Sequence, residues 1–176
     1  MTLRVSFFIA TFLILILSPS LGLCAEVLPE KALQHKEIAD SYLRQRKTAI
    51  AITEYKKALE LAPSSTAVYF NLAIAHYADK NFREAALALE KLVSIDCKDV
   101  EAQYNLACLR LSEGNLENAL LHLEQAKTCC PSASEFAPLI SNAFEFIGKV
   151  KTMDGQAQQA LFLLLQQQGL PLLSQN

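Results

Sequence analysis

Three histidines and five cysteines are the side chains of this chain best suited to chemistry, and their spacing builds no catalytic or metal-binding group. His35, His76 and His122 lie far apart, and none has a cysteine or an acid at ligand spacing. The sequence contains no glycine-rich phosphate loop, zinc-protease helix or nucleophile elbow. We therefore expect that the chain is not an enzyme and that it uses no cofactor or metal.

The elements that carry these side chains repeat with a period of 34 residues. This period is typical of stacked helix–turn–helix units, in which small residues recur where two helices approach closely. We expect an all-α fold, a right-handed α-solenoid of antiparallel helix pairs, with units at residues 32–65, 66–99 and 100–133 and a degenerate fourth helix pair or cap at 134–168. Residues 26–31 form a linker before the units. Residues in phase include Ile38, Leu72 and Leu106; Ala51, Ala85 and Ala119; and Tyr55, Leu89 and Leu123.

The phased segments resemble the tetratricopeptide repeat family across about residues 32–133. The resemblance implies a protein-interaction scaffold whose units expose their first helices on a concave surface. Arg110 departs from the pattern, because unit one has the aromatic Tyr42 at that position, and Cys97 replaces a terminal proline. His76 occupies the slot of Tyr42, which predicts a packed, hydrogen-bonded core histidine. The resemblance is carried by Asn71–Ala73, Asn105–Ala107, Tyr55–Pro63 and Leu123–Ala126.

Seven residues on the first helices are, by this resemblance, candidates for binding a partner in the concave groove. In units two and three they are spaced i, i+4 and i+7, so each set forms a stripe on one helix face. Neighbouring leucines and alanines already supply the core, which favours an exposed stripe. Aromatic anchors with few charges suit a peptide or helix of a protein partner. The candidates are Leu43, Phe70, Ile74, Tyr77, Tyr104, Cys108 and Leu111.

Some members of this family grip the C-terminal carboxylate of heat-shock chaperones with Lys, Asn and Arg side chains. Lys36 and Asn71 match that set, whereas Asp40, Glu101 and Asn105 replace the other members. Two acids beside a bound carboxylate would repel it. We therefore do not expect recognition of a carboxylate terminus.

The first 25 residues are typical of a secretory signal peptide. Arg4 precedes an uncharged apolar run from Val5 to Ala25, and we expect cleavage after Ala25. Two alternatives stay open. Lipidation of Cys24 would make the chain a pilotin-like lipoprotein or an envelope or pilus assembly factor, and an uncleaved segment would be a membrane anchor. Each interpretation places the repeats outside the cytoplasm, in the periplasm or its equivalent.

The other four cysteines permit two disulfides in an exported protein. Cys97 and Cys130 end the second helices of neighbouring units, but stacked helices lie ~8–10 Å apart, beyond the roughly 7 Å that a disulfide spans between Cα atoms. We therefore expect four reduced, mostly buried thiols. The adjacent Cys129 and Cys130 leave a small exported redox or metal-binding protein as a further alternative. The net charge of −2, without a basic cluster, argues against a nucleic-acid partner.

The C-terminal region loses both the period and its charges. We expect the first helix of the fourth pair to end at Gly148 and a last helix to follow at 156–168. No charged residue occurs from Gly155 to Asn176, and Ala160–Leu165 is apolar without interruption. The apolar tail at 169–176 would fold back and bury this helix, or a partner or second copy would cover it, giving a homodimer through residues 155–176.

Overall fold

The computed structural model describes residues 28–132 and 134–168, with side chains as far as Leu165. The predicted signal peptide, the lipidation site at Cys24, the membrane-anchor alternative and the tail at 169–176 lie outside these residues. Within the described ranges, no helix has both the length and the hydropathy that a membrane span requires.

The described residues form eight helices and no strand, which confirms the all-α fold. Helices α1 and α2 form unit one, α3 and α4 form unit two, and α5 and α6 form unit three. α1 begins at Glu30, inside the predicted linker at 26–31, because Pro29 needs no amide hydrogen bond directly before the first turn. The helices are α1 Glu30–Arg44, α2 Thr48–Leu61, α3 Thr66–Ala78, α4 Phe82–Ile95, α5 Val100–Ser112, α6 Leu116–Cys129, α7 Phe136–Lys151 and α8 Gly155–Gln168.

A left-handed residue reverses the chain between the two helices of each unit. Arg46, Lys80 and Gly114 have φ of 59°, 60° and 76°, and they are 34 residues apart. In each turn two amides return to carbonyls of the preceding helix; the Lys47 amide lies 2.9 Å from the Tyr42 carbonyl oxygen. This Schellman arrangement satisfies carbonyls that the helix end leaves free. It directs the second helix back along the first.

Alanine at the crossing of the two helices allows them to pack closely. Ala51, Ala85 and Ala119 are fully buried, and each belongs to the second helix of its unit. Large side chains one turn later, Tyr55, Leu89 and Leu123, fill the space between the helices and are buried as well. The alanine methyl group thus sets the distance between the two helices, and the larger side chain fills the remaining space between them.

A polar pair joins the two helices of units one and three at equivalent positions. His35 Nδ1 lies 2.6 Å from Glu54 Oε2, and His122 Nδ1 lies 2.9 Å from Gln103 Oε1. Residues 35 and 103 correspond in the repeat, as do 54 and 122. The histidine therefore lies on the first helix in unit one and on the second helix in unit three. Both histidines are therefore structural. His76 is buried as expected, but its Nδ1 has no hydrogen-bond partner among the described residues.

The C-terminal helices do not form the predicted fourth pair. Gly148 occupies the phase of Gly114, yet it has no positive φ and α7 continues through it to Lys151. The extension buries Val150, one turn beyond the buried Ile147, which favours helix over a turn. Without the reversal, α8 does not return along α7. It packs instead against α5 of unit three.

The two in-phase glycines should respond oppositely to replacement by alanine. Gly148→Ala should raise the free energy of unfolding by roughly 0.5–1 kcal/mol, because a Cβ there meets no atom within 4 Å and alanine favours helix. Gly114→Ala should lower it by about 1 kcal/mol, because its φ of 76° strains an L residue. Urea unfolding followed by circular dichroism measures both. Destabilisation by Gly148→Ala would place a turn, not a helix, at that residue.

Candidate functional site

The seven candidate residues lie in three columns along the first helices. Each column takes one residue per unit at a spacing of 34, so that neighbouring members come from α1, α3 and α5. Unit one contributes two charged residues, whereas units two and three are apolar at all three positions. The columns are Lys36, Phe70 and Tyr104; Asp40, Ile74 and Cys108; and Leu43, Tyr77 and Leu111.

The candidates of units one and two are partly exposed. Leu43, Phe70, Ile74 and Tyr77 are all half-buried. The Tyr77 ring packs edge-on against Phe82, with ring centroids 5.3 Å apart, and this contact fixes its orientation. These four residues form an apolar surface on α1 and α3, and we call it the open surface.

The predicted exposed stripe of unit three is wrong. Tyr104, Cys108 and Leu111 are each only 5% exposed, because α7 and α8 pack over α5. The Phe136 ring of α7 lies edge-on to Tyr104, with centroids 6.0 Å apart. The three side chains join a second core cluster that is separate from that of units one and two. We call them the covered surface.

Burial also controls the chemistry of Cys108. It raises the pKa of the thiol to about 12, an effect that a hydrogen bond with Tyr104 only partly offsets. The thiol therefore stays protonated at neutral pH and is a poor nucleophile. Cys108 is the one buried thiol of the four, since Cys97 is exposed and Cys129 and Cys130 are half-buried. The prediction of mostly buried thiols is thus wrong; all four are free of disulfides.

Asp40 organises the polar end of the surface in unit one. Its carboxylate accepts hydrogen bonds from Lys36 Nζ at 2.9 Å, Tyr55 Oη at 2.5 Å and Asn71 Nδ2 at 2.9 Å. Burial, and then the Asp40 carboxylate, raise the pKa of Tyr55, so that its hydroxyl remains a donor. An internal carboxylate thus engages both side chains, Lys36 and Asn71, that match a carboxylate-binding set.

Asn105 is the counterpart of Asn71 in unit three, but it lacks the equivalent acceptor. Ile74 stands where the repeat would place the Asp40 carboxylate. The Asn105 side chain is 1% exposed, and neither its oxygen nor its nitrogen has a hydrogen-bond partner among the described residues. A buried polar group without a partner costs about 1–3 kcal/mol.

Replacing these two asparagines by leucine should have opposite effects on stability. Asn105→Leu should leave the free energy of unfolding unchanged or raise it by about 1 kcal/mol, because an unpaired amide is removed from the core. Asn71→Leu should lower it by about 1 kcal/mol, because Asp40 loses a donor. Equilibrium urea unfolding of both variants tests this. An equal loss in the two variants would mean that Asn105 makes hydrogen bonds of its own.

The remaining side chains offer no metal centre. In the part of the chain that the structure describes, no three His, Cys, Asp or Glu side chains are grouped closely enough to hold a metal ion. The feature that sequence reasoning missed is the position of Phe162, which packs on the turn at Gly114. No sequence signal reported this contact, because Gly114 and Gly148 are in phase and the sequence does not distinguish the glycine that makes a turn from the one that lies in a helix.

Two family models for the tetratricopeptide repeat match the chain, one over residues 36–97 and one over residues 100–132. These spans coincide with the three helix pairs. The chain belongs to the tetratricopeptide repeat family. The family and its peptide-bound neighbours support a protein-interaction module.

Two curated proteins match part of this chain. Sperm-associated antigen 1 of Rattus norvegicus is 28% identical over 102 residues, which is 58% of this chain and 11% of that protein. The E3 ubiquitin-protein ligase CHIP of Arabidopsis thaliana is 21% identical over 126 residues, 72% of this chain and 45% of that protein. The chain therefore spans less than half of either relative.

Two solved structures with bound peptides share the fold. The first such domain of Spaghetti (RPAP3), bound to the HSP90 peptide SRMEEVD, superposes with a TM-score of 0.61 at 24% identity, covering 70% of this chain and 94% of that one. The Yersinia enterocolitica type III secretion chaperone SycD, in complex with a peptide of the translocator YopD, gives a TM-score of 0.64 at 19% identity and covers 72% and 98% of the two chains.

Proposed function

We propose that this chain is an exported, non-enzymatic scaffold that binds an apolar peptide or helix of a protein partner on the open surface. The observation that carries the proposal is the half-buried set Leu43, Phe70, Ile74 and Tyr77 on adjacent first helices. Partly exposed aromatic and branched side chains on rigid helices suit the role of binding anchors. Structural neighbours that carry bound peptides support the same mode.

The partner segment is expected to bind without its C-terminal carboxylate. The RPAP3 domain is bound to an HSP90 peptide that ends in Glu-Val-Asp. In this chain the Asp40 carboxylate already accepts from Lys36 and Asn71. A ligand carboxylate would have to displace Asp40 and leave a partly buried acid without its donors, which opposes its binding. Apolar contacts must therefore supply most of the affinity.

Single alanine substitutions on the open surface should weaken binding without unfolding the protein. A ligand selected from a displayed peptide library against the full chain serves as the probe. Phe70→Ala and Ile74→Ala should each raise its Kd at least tenfold, about 1.4 kcal/mol or more, because an anchor is lost. Fluorescence anisotropy measures the Kd.

Leu121→Ala is the matched control, because Leu121 is an exposed leucine, 55% accessible, on the second helix of unit three. It should leave the Kd unchanged. Circular dichroism should show wild-type helicity for all three variants at the temperature of the binding assay. If Leu121→Ala weakened peptide binding and Phe70→Ala did not, the binding site would not be the open surface.

Export is proposed from the leading sequence alone. Residues 1–25 combine Arg4 with an uncharged apolar run, and cleavage after Ala25 would leave Glu26 as the first residue. The intact mass of the protein purified from its native cell measures this directly. A mass that begins at Glu26 is expected. A lipidated Cys24 would instead support the assembly lipoprotein, and an uncleaved chain would support the membrane anchor.

A further inference from the structure

The covered surface of unit three lies beneath two helices of the same chain, α7 and α8. α8 packs against α5, and Phe162 joins the core cluster that contains Tyr104, Cys108 and Leu111. A Cβ built at Gly114 would lie 3.2 Å from Cδ2 of Phe162, so the ring rests on the bare backbone of the α5–α6 turn. The first-helix face that is open in units one and two therefore has an occupant in unit three.

This contact is specific to unit three. The turns of units one and two carry Arg46 and Lys80 where unit three has Gly114. An arginine or lysine at the position of Gly114 would collide with the Phe162 ring, because a Cβ there already lies 3.2 Å from it. Gly114 thus has two roles: it adopts the left-handed conformation of the turn, and its lack of a side chain lets an aromatic ring pack on the backbone.

The occupant is held by few interactions. α8 makes little contact with α7 along its length. Gln158 Nε2 donates to the Val150 carbonyl at 2.9 Å, and Asp154 Oδ1 accepts from the Ala157 amide at 2.9 Å, so the polar bonds lie at the start of the helix. Leu163 and Leu164 remain 54% and 46% exposed. A terminal helix with these features belongs to the least stable part of a fold.

We propose that α8 is a displaceable occupant, and that the part of the covered surface beneath it binds an uncharged, leucine-rich helix of a partner in place of α8, with one aromatic side chain packed on Gly114. This inference rests on the proposed scaffold function. The chemistry of the partner follows from that of α8, which carries no charged residue and presents Phe162 to the turn. A partner helix competes with α8 for this site. The apparent Kd for the partner therefore equals the intrinsic Kd divided by the fraction of molecules in which α8 is undocked.

The experiment uses α8 itself as the probe. A fluorescent peptide of residues 155–168, with two added lysines for solubility, is titrated into three versions of the full chain: wild type, Phe162→Ala and Leu163→Ala. Phe162→Ala should bind the peptide about tenfold more tightly than wild type, because its own helix no longer competes well. Leu163→Ala should match wild type, since Leu163 is exposed on the same helix. A peptide with Phe162→Ala should not bind.

Hydrogen exchange gives a second readout that does not depend on the peptide. Amides of α5 should exchange faster in the Phe162→Ala chain and recover protection when the peptide is added. Equal affinities for wild type and Phe162→Ala, no saturable binding to any version, or unchanged exchange would overturn the proposal. So would a full-length dimer that Phe162→Ala converts to a monomer, because α8 would then be covered by a second copy. The library peptide tests the proposed function and the α8 peptide tests this inference. Phe70→Ala should weaken binding of the first and leave binding of the second unchanged, so the two can fail independently.

Discussion

The left-handed turn between the two helices of a unit is the constraint on which the rest of the molecule depends. A helix pair in this fold forms only if the chain reverses at a fixed residue and the second helix then presents alanine to the first. Arg46 and Lys80 adopt φ near 60° although they are not glycines, a conformation that costs about 1 kcal/mol or more each. The Schellman hydrogen bonds and the packed alanines must therefore outweigh that cost in units one and two.

Removal of the turn at Gly148 has consequences for the whole C-terminal part. Because α7 continues as a helix, α8 does not return along α7 and packs onto α5 instead. There it partly buries Phe162 and leaves Leu163 and Leu164 exposed. Unit three therefore differs from units one and two in having α7 and α8 packed over its first helix.

The sequence predicted the three helix pairs well because their signals are local and repeated. Alanine at 51, 85 and 119 and proline or aspartate between units define the helices with little help from tertiary contacts. The fourth pair failed for a physical reason. Glycine in a helix costs only about 1 kcal/mol relative to alanine, so burial of Val150 can keep Gly148 helical. No local pattern reports that balance.

The same limit explains the error about Tyr104, Cys108 and Leu111. Their i, i+4, i+7 spacing on α5 correctly placed them on one face, but periodicity does not reveal what covers a face. The in-phase residues of unit two keep partial exposure because α7 and α8 pack over α5 of unit three. Prediction from sequence was thus reliable for the direction of a side chain and unreliable for its accessibility.

Satisfied polar groups set the chemical character of the three columns on the first helices. Asp40 uses the donors of Lys36 and Asn71, and burial keeps the Cys108 thiol protonated, so neither a free charge nor a reactive nucleophile remains in these columns. A surface without an unpaired charge cannot steer a partner over long range. Recognition must then depend on shape and apolar contact, which change little with ionic strength. The uncharged α8 is a segment of this kind, and it lies on the one unit whose turn leaves room for an aromatic ring.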